Sequence, residues 1–155
     1  MAVVLADLLD EKQIALDLRS RSLNGALREI VDLLEANGRI TDAEKFRAAV
    51  LERERTSSTV AEHGIAFPHA RTDLVQKIVL GIGRSKNGVR FPMAKDLVHL
   101  IFVIGVPQQM IQDYLVCVGA LARLTRDASI RAALLEAKTA EEFVEQLRSA
   151  SLLLE

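Results

Sequence analysis

The chain is poor in cysteine, in net charge and in long apolar runs, and each shortage excludes a class of protein. Cys117, in "LVCVGALA", is the one cysteine among 155 residues. One thiol cannot close an internal disulfide, so a reducing cytoplasm is the expected home. A small core residue is the expected role of Cys117. Basic and acidic residues nearly balance, leaving a net charge of −1. A nucleic-acid partner is therefore not expected, because binding one needs a basic surface to neutralise phosphates. No apolar run approaches the length of a membrane span, so membrane insertion is not expected either. The start, "MAVVLADLLDEK", lacks a basic region before its short apolar run, which is unlike a signal peptide. Linkers, repeats and low-complexity tracts are absent too.

What is present is globular. Half the residues are apolar and 26% are charged. The length fits one domain over residues 1–155. A domain of this size can bury roughly 70% of the surface its unfolded chain exposes, enough for a full apolar core. "SLNGALREIVDLLEANGRI" puts Leu27, Ile30, Val31 and Leu34 on one helical face, with Gly38 at a left-handed helix end. "TDAEKFRAAVLERE" opens with Thr41 and Glu44 in capping-box spacing and should run to about Arg53, with Phe46, Ala49 and Val50 as its stripe.

Strand signals follow. "GIAF" is short, and "QKIVLGIGR" puts Ile78, Leu80 and Ile82 on one face. "LVHLIFVIGV" is an unbroken apolar run that suggests a central strand buried on both faces. Asn87-Gly88 between the last two predicts a turn, with "GVRF" as a short hairpin arm. The last third is helical again. "QQMIQDYLVCVGALARLTRD" has Leu115, Val118 and Ala122 on one face with Leu121 and Leu124 beside them. "ASIRAALLEAK" is a shorter helix, and "TAEEFVEQLRSASLLLE" opens with Thr139 and Glu142 in capping-box spacing. The fold class expected is α/β, a small mixed β-sheet flanked by helices on both faces.

The chemistry concentrates in "ERERTSSTVAEHGIAFPHAR", Glu52 to Arg71. Histidine is the side chain that is neutral and nucleophilic near physiological pH. Pro68 has no backbone N–H, so a strand ending at Phe67-Pro68 hands His69 to the sheet edge, at the carboxyl end where α/β sheets bind ligands. Arg71 is two residues on, and Arg53 closes the preceding helix. Guanidinium groups hold phosphate oxygens in a fixed fork. Ser57, Ser58 and Thr59 carry hydroxyls able to anchor the same group. Such a set suits phosphoryl transfer, which needs positioning and charge stabilisation above all. Each residue also has a plain role: a surface histidine, a solvated helix end, a capped loop.

The other histidines point elsewhere. His63 lies in the turn, with no third ligand at a metal-binding spacing, so no metal is expected. His99 sits inside "LVHLIF" and faces either a sheet partner or the site; a hydrogen-bonded structural role is favoured, with a supporting role behind His69 as the other option. A hydrolase built on His63, His69 and Asp73 is disfavoured, because no nucleophile stands in a sharp strand-to-helix elbow. Phe67, Val60 and Met110 are candidates for an apolar docking patch around the site. The apolar end "SLLLE" suits packing on the domain or self-association.

At these residues the chain resembles a known family. "LERERTSSTVAEHGIAFPHAR" and the later "DLVHLIFVIGVP" are similar to the enzyme IIA domain of the bacterial phosphotransferase system, fructose/mannitol type, a group that includes the nitrogen-regulatory enzyme IIA proteins. The likeness runs from "LADLLDEKQIALDL" to "LARLTRDASIRAALLEAKTAEEF". It implies helices around a small mixed sheet. It implies that His69 receives a phosphoryl group from the carrier protein HPr or a relative. The group then passes to an enzyme IIB or serves as a signal to a regulated transporter or kinase. Arg53 takes the place of the family's active-site arginine, and neither metal, nucleotide nor other cofactor is implied. Two departures stand out. Sugar-transporting members usually carry a second histidine at the start of the long C-terminal helix, in a pattern like "EHL"; here "QDYL" puts Tyr114 there. A phenol donates one hydrogen bond but does not readily gain positive charge. The turn before "IA", often like "GIGNG", reads "VAEHG", with Ala61 in place of a glycine. Both favour a regulatory or specialised role over sugar uptake. The alternative is a binding module of the same fold that acts by protein contact without relaying phosphate.

Overall fold

The computed structural model describes residues 5–152. Two short 3-10 helices, Leu5–Leu8 and Glu11–Gln13, lead into strand β1, Ile14–Ala15. Helices α1 (Leu23–Ala36) and α2 (Ala43–Thr56) follow, then β2 (Val60–Ala61), β3 (Ile65–Ala66) and β4 (His69–Arg71). The long strands β5 (Val79–Val89) and β6 (Val98–Val106) come next, and α3 (Ile111–Arg126), α4 (Ala128–Glu136) and α5 (Ala140–Leu152) complete the order. The strands form one mixed sheet in the order β1-β5-β6-β3-β2, with β4 also paired to β6.

The sheet is covered on both faces, as expected. Leu80, Ile82, Leu100, Phe102 and Ile104 pack with α3, α4 and α5 through Leu121, Leu124, Leu134, Phe143 and Leu147. Val79, Ile101 and Val103 point to the other face and pack with Leu27, Ile30, Leu34, Phe46 and Val50 of α1 and α2. Period-2 alternation along β5 and β6 divides the residues between these two cores. Strand β6 is the centre and is buried almost throughout, which is why its run of apolar residues is unbroken. The α1 face is packed especially close. A Cβ added at Gly83 would lie 2.6 Å from Ile30 Cδ1 and 2.8 Å from Leu18 Cδ1, so a larger residue there makes those side chains shift. Overfilling such a contact costs about 1–3 kcal/mol.

Helix ends follow the sequence with two shifts, both in α2. Gly38, at φ 70, closes α1, and Arg39 N–H donates to Leu34 O at 2.8 Å while Gly38 N–H donates to Glu35 O. This is the Schellman arrangement. The cap of α2 is Asp42 rather than Thr41: its carboxylate accepts from Lys45 N–H at 3.1 Å. An ionised cap also complements the positive end of the helix dipole. Helix α2 continues one turn past Arg53, to Thr56. Thr139 does cap α5, accepting from Glu142 N–H at 3.0 Å.

Three further expectations are corrected. Asn87-Gly88 is not a hairpin turn. Gly88 N–H is taken by Ser85 Oγ at 2.9 Å, the register shifts there, and Val89 still pairs with Val98. The pair is therefore an irregularity inside β5, and the chain reverses in residues 90–97 instead. On α3 the buried face is Cys117, Ala120, Leu121 and Leu124, whereas Leu115 is 61% exposed. "LVCVGALA" is apolar all round, so its periodicity could not choose a face. Pairing does not end at Pro68 either. His69, Ala70 and Arg71 pair in parallel with Ile104, Gly105 and Val106 of β6. Pro68 stops no bond because its carbonyl accepts from Ile104 N–H at 3.0 Å, and its missing N–H is no loss on a sheet edge. The expectation for "SLLLE" falls partly outside the described residues; within them Ser151 is buried and Leu152 exposed.

Candidate functional site

His69 stands where β4 pairs with the carboxyl end of β6. Strand β2 pairs only with β3, so β4 is left as an edge. The last turns of α2 and the first turns of α3 converge over that edge. They enclose a cleft of about 510 Å³ whose lining includes Arg53, Thr56, His69, Arg71, Ile111 and Tyr114.

Local bonds orient the histidine. Its Nδ1 lies 3.1 Å from Phe67 O. A carbonyl can only accept, so Nδ1 carries the proton when this bond forms and the neutral ring keeps its lone pair on Nε2. Burial lowers the His69 pKa below its ordinary 6.5. The Phe67 bond opposes this, and the Arg53 guanidinium adds to the lowering. The imidazole is thus held neutral at physiological pH. The Tyr114 hydroxyl lies 3.1 Å from both ring nitrogens, and the two rings are tilted by 39° with centroids 4.6 Å apart. An atom this close to both nitrogens has to lie over the ring face, because in the ring plane it would collide with Cε1. The in-plane direction of the Nε2 lone pair is therefore not the one the phenol takes. Burial raises the Tyr114 pKa above 10.0, so the hydroxyl keeps its proton.

Two guanidinium groups share the cleft. Arg53 Nη1 donates to Ser57 O at 2.9 Å across the helix end, which fixes the head group with its other nitrogens unspent. Arg71 Nε donates to Gln108 O at 2.9 Å, tying β4 to the turn before α3.

The three hydroxyls of the loop are placed otherwise than expected. Ser57, Ser58 and Thr59 are not among the residues lining the cleft. Ser58 Oγ accepts from Val60 N–H at 3.1 Å. Thr59 Oγ1 donates to Glu54 Oε1 at 2.7 Å, and Thr59 N–H donates to Glu54 Oε2 at 2.8 Å. Glu54, 4% exposed, is thus the residue that folds the loop back under the helix. Sequence reasoning passed over it, although it stands in "LERE" between two arginines. Thr56 does line the cleft, but its hydroxyl donates to Glu52 O within the helix.

His99 is not behind His69. Its Nδ1 lies 2.8 Å from Ser85 O, and its backbone N–H donates to Gly64 O at 2.7 Å. It sits five residues before Ile104, the partner of His69, or ~17 Å along the strand. The supporting role is therefore corrected to a structural one. His63 occupies the turn between β2 and β3 with φ 67, next to Glu62 and outside the cleft. Cys117 is buried, and burial pushes its thiol up to about 12, which suits an inert core residue. The docking patch moves as well. Phe67 is buried and stacks on Phe102 with centroids 5.6 Å apart. Of the exposed apolar side chains on α3, Ile111 lines the cleft and Leu115 follows one turn later on the same face. Among the described residues no group of three or more His, Cys, Asp or Glu could hold a metal ion, and no helix is long and apolar enough to cross a membrane.

Known proteins resemble this chain in sequence and fold. The chain is 35% identical over 127 residues to a fructose-specific EIIA component of Haloferax volcanii, covering 81% of this chain and 82% of that one. It is 31% identical to a fructose-specific EIIABC component of Bacillus subtilis, over 91% of this chain but only 22% of that longer protein's length. The crystal structure of the nitrogen regulatory protein IIA-Ntr from Neisseria meningitidis superposes with a TM-score of 0.85 at 27% identity, covering 94% of this chain and 99% of that one. Residues 7–150 match the family model described as "Phosphoenolpyruvate-dependent sugar phosphotransferase system, EIIA 2", and the chain belongs to that family.

Proposed function

We propose that the protein is a phosphoryl carrier, phosphorylated reversibly on His69 Nε2 by a phosphohistidine protein of the HPr kind. The observation that carries this is a neutral, Nδ1-anchored imidazole facing a cleft that also holds Arg53 and Arg71. The Nε2 lone pair attacks phosphorus in line. The bond from phosphorus to the donor's ring nitrogen breaks, and that nitrogen keeps the electron pair. The Arg53 fork takes up charge on the equatorial oxygens, with Arg71 beside it. Tyr114 Oη reaches a phosphoryl oxygen as donor once its place over the ring is given up. Ser57, Ser58 and Thr59 act by shaping the loop through Glu54, and any contact of theirs with the phosphoryl group follows a loop movement. A convex donor seats on Ile111 and Leu115, the exposed apolar side chains at the start of α3.

From His69 the group goes to an enzyme IIB or serves as a signal to a transporter or kinase. We favour the regulatory outlet, because Tyr114 stands where sugar-transporting members have a second histidine. A cytoplasmic location goes with such partners. Incubation with enzyme I, HPr and labelled phosphoenolpyruvate tests the proposal: acid-labile label is expected on the protein and none on His69→Ala. Label that survives this substitution would defeat it.

A second reading has one observation in its favour. The Tyr114 hydroxyl covers one face of the imidazole, and a ring already engaged this way suits a binding module that relays no phosphate. Capture of a partner, equal for the native chain and His69→Ala and without any labelling, would favour that reading.

A further inference from the structure

A second cavity, of about 680 Å³, lies on another side of α2. Helix α2 presents Ala49, Glu52, Arg53 and Thr56 to the His69 cleft, and Leu51, Glu54 and Arg55 to this cavity. The two spaces share no lining residue. Leu23, Leu51, Phe91, Pro92 and Met93 make the walls largely apolar, and Met93 is 59% exposed at the surface.

The charged side chains around those walls are lopsided. Arg21, Arg55 and Arg90 all line the cavity, against the single acid Glu54. Both Glu54 carboxylate oxygens are taken by Thr59. The arginines are weakly engaged. Arg90 reaches Lys95 O at 3.4 Å, and Arg55 lies 3.9 Å from an exposed Glu52. The Arg21 guanidinium makes no hydrogen bond or ion pair among the described residues. Ser22, Leu23 and Asn24, also in the lining, are the cap and first turn of the 14-residue helix α1. That end adds positive potential to the guanidinium groups.

We propose that this cavity binds a small monocarboxylate with an apolar body, its head group toward Arg21, Arg55 and Arg90. The volume suits a small molecule. Apolar walls take an aliphatic or aromatic body, and a guanidinium fork takes the two carboxylate oxygens. A phosphate dianion suits the site less. It costs more to desolvate against apolar walls, and it would bring a second negative charge toward Glu54. The ligand lies one helix away from the phosphorylation cleft, so its binding does not depend on the reading of His69.

An NMR titration of the full chain with sodium octanoate tests this, with 1-octanol as the uncharged control. Octanoate is expected to shift amides in 21–24, 51–55 and 90–93 saturably, with a Kd of about 1 mM or tighter. Arg21→Gln combined with Arg90→Gln should weaken it roughly tenfold, a loss of about 1.4 kcal/mol. Met93→Glu, a surface change that puts a negative charge at the mouth, should weaken it as well. His69→Ala should bind as the native chain does. Equal binding of octanol, shifts centred on Ile111, Leu115 and Val116 instead, or full affinity in both the arginine and the Met93 variants would overturn the proposal. So would the absence of saturation up to roughly 10 mM.

Discussion

The two ends of β6 are marked by two histidines, His69 on the paired strand β4 and His99 on β6 itself, each with Nδ1 against a backbone carbonyl but in different surroundings. His69, paired with Ile104, places Nδ1 3.1 Å from Phe67 O. His99, near the start of β6, places Nδ1 2.8 Å from Ser85 O. Both are half-buried. Around His69 the sheet edge is open, two helix ends converge, and Arg53, Arg71 and Tyr114 share one cleft with it. Around His99 the chain closes. A Cβ added at Gly64 would lie 3.3 Å from the His99 ring, so the turn packs directly on it. A carbonyl bond to Nδ1 therefore does not make a histidine reactive. It selects a tautomer, and the use of the free nitrogen depends on what else can approach it.

Four experiments break or sharpen that contrast, the largest effect first. His69→Ala should remove all acid-labile label acquired from phospho-HPr, while His99→Ala should keep it. Loss of label in the His99 variant with its fold intact would erase the distinction. Arg53→Gln should slow phosphotransfer by ~10²-fold with unchanged thermal stability, since one charged donor to a developing phosphoryl charge is worth about that much. Rapid-quench kinetics measure it, and a change of less than a few-fold would remove Arg53 from the chemistry. Glu54→Gln should destabilise the fold by about 1–3 kcal/mol, because a buried acceptor for two Thr59 bonds becomes an amide that matches only part of them; urea unfolding is the check. The smallest effect concerns pH.

The sign of the pH effect follows from burial. Desolvation lowers the folded pKa of His69 below 6.5. The unfolded chain therefore takes up the proton first, and stability rises with pH across that window. The contribution is complete above 6.5 and is lost as the pH falls from there through the folded value. A ring titration followed by NMR should show His69 protonating below 6.5, and a midpoint above that value would contradict the desolvated cleft.

Much of this was legible beforehand, for identifiable reasons. Apolar alternation in "QKIVLGIGR" placed Ile78, Leu80 and Ile82 in one core, and Gly38 marked the end of α1. Arg53, His69 and Tyr114 converge in one cleft, as proximity along the chain and the family resemblance together suggested. The hydroxyls of Ser57, Ser58 and Thr59 were misplaced because a loop's composition does not say which way its side chains turn. Glu54 decides that, and an acid on "LERER" looks like solvated charge until its helix is seen from inside. Asn87-Gly88 misled in the same way: a local turn signal gave way to a strand whose pairing continued beyond it.

Alternation and helix-end signals by themselves marked the long helices, the two long strands and the α/β class, and the proline before His69 marked the histidine to watch, since these depend on residues close along the chain. Tertiary structure alone decided that the ends of α2 and α3 would meet over β4, that Glu54 would draw Thr59 away from the cleft, and that His99 would be walled in by Gly64. Those outcomes depend on which surfaces are pressed together, and packing over long sequence separations is not written in any local pattern.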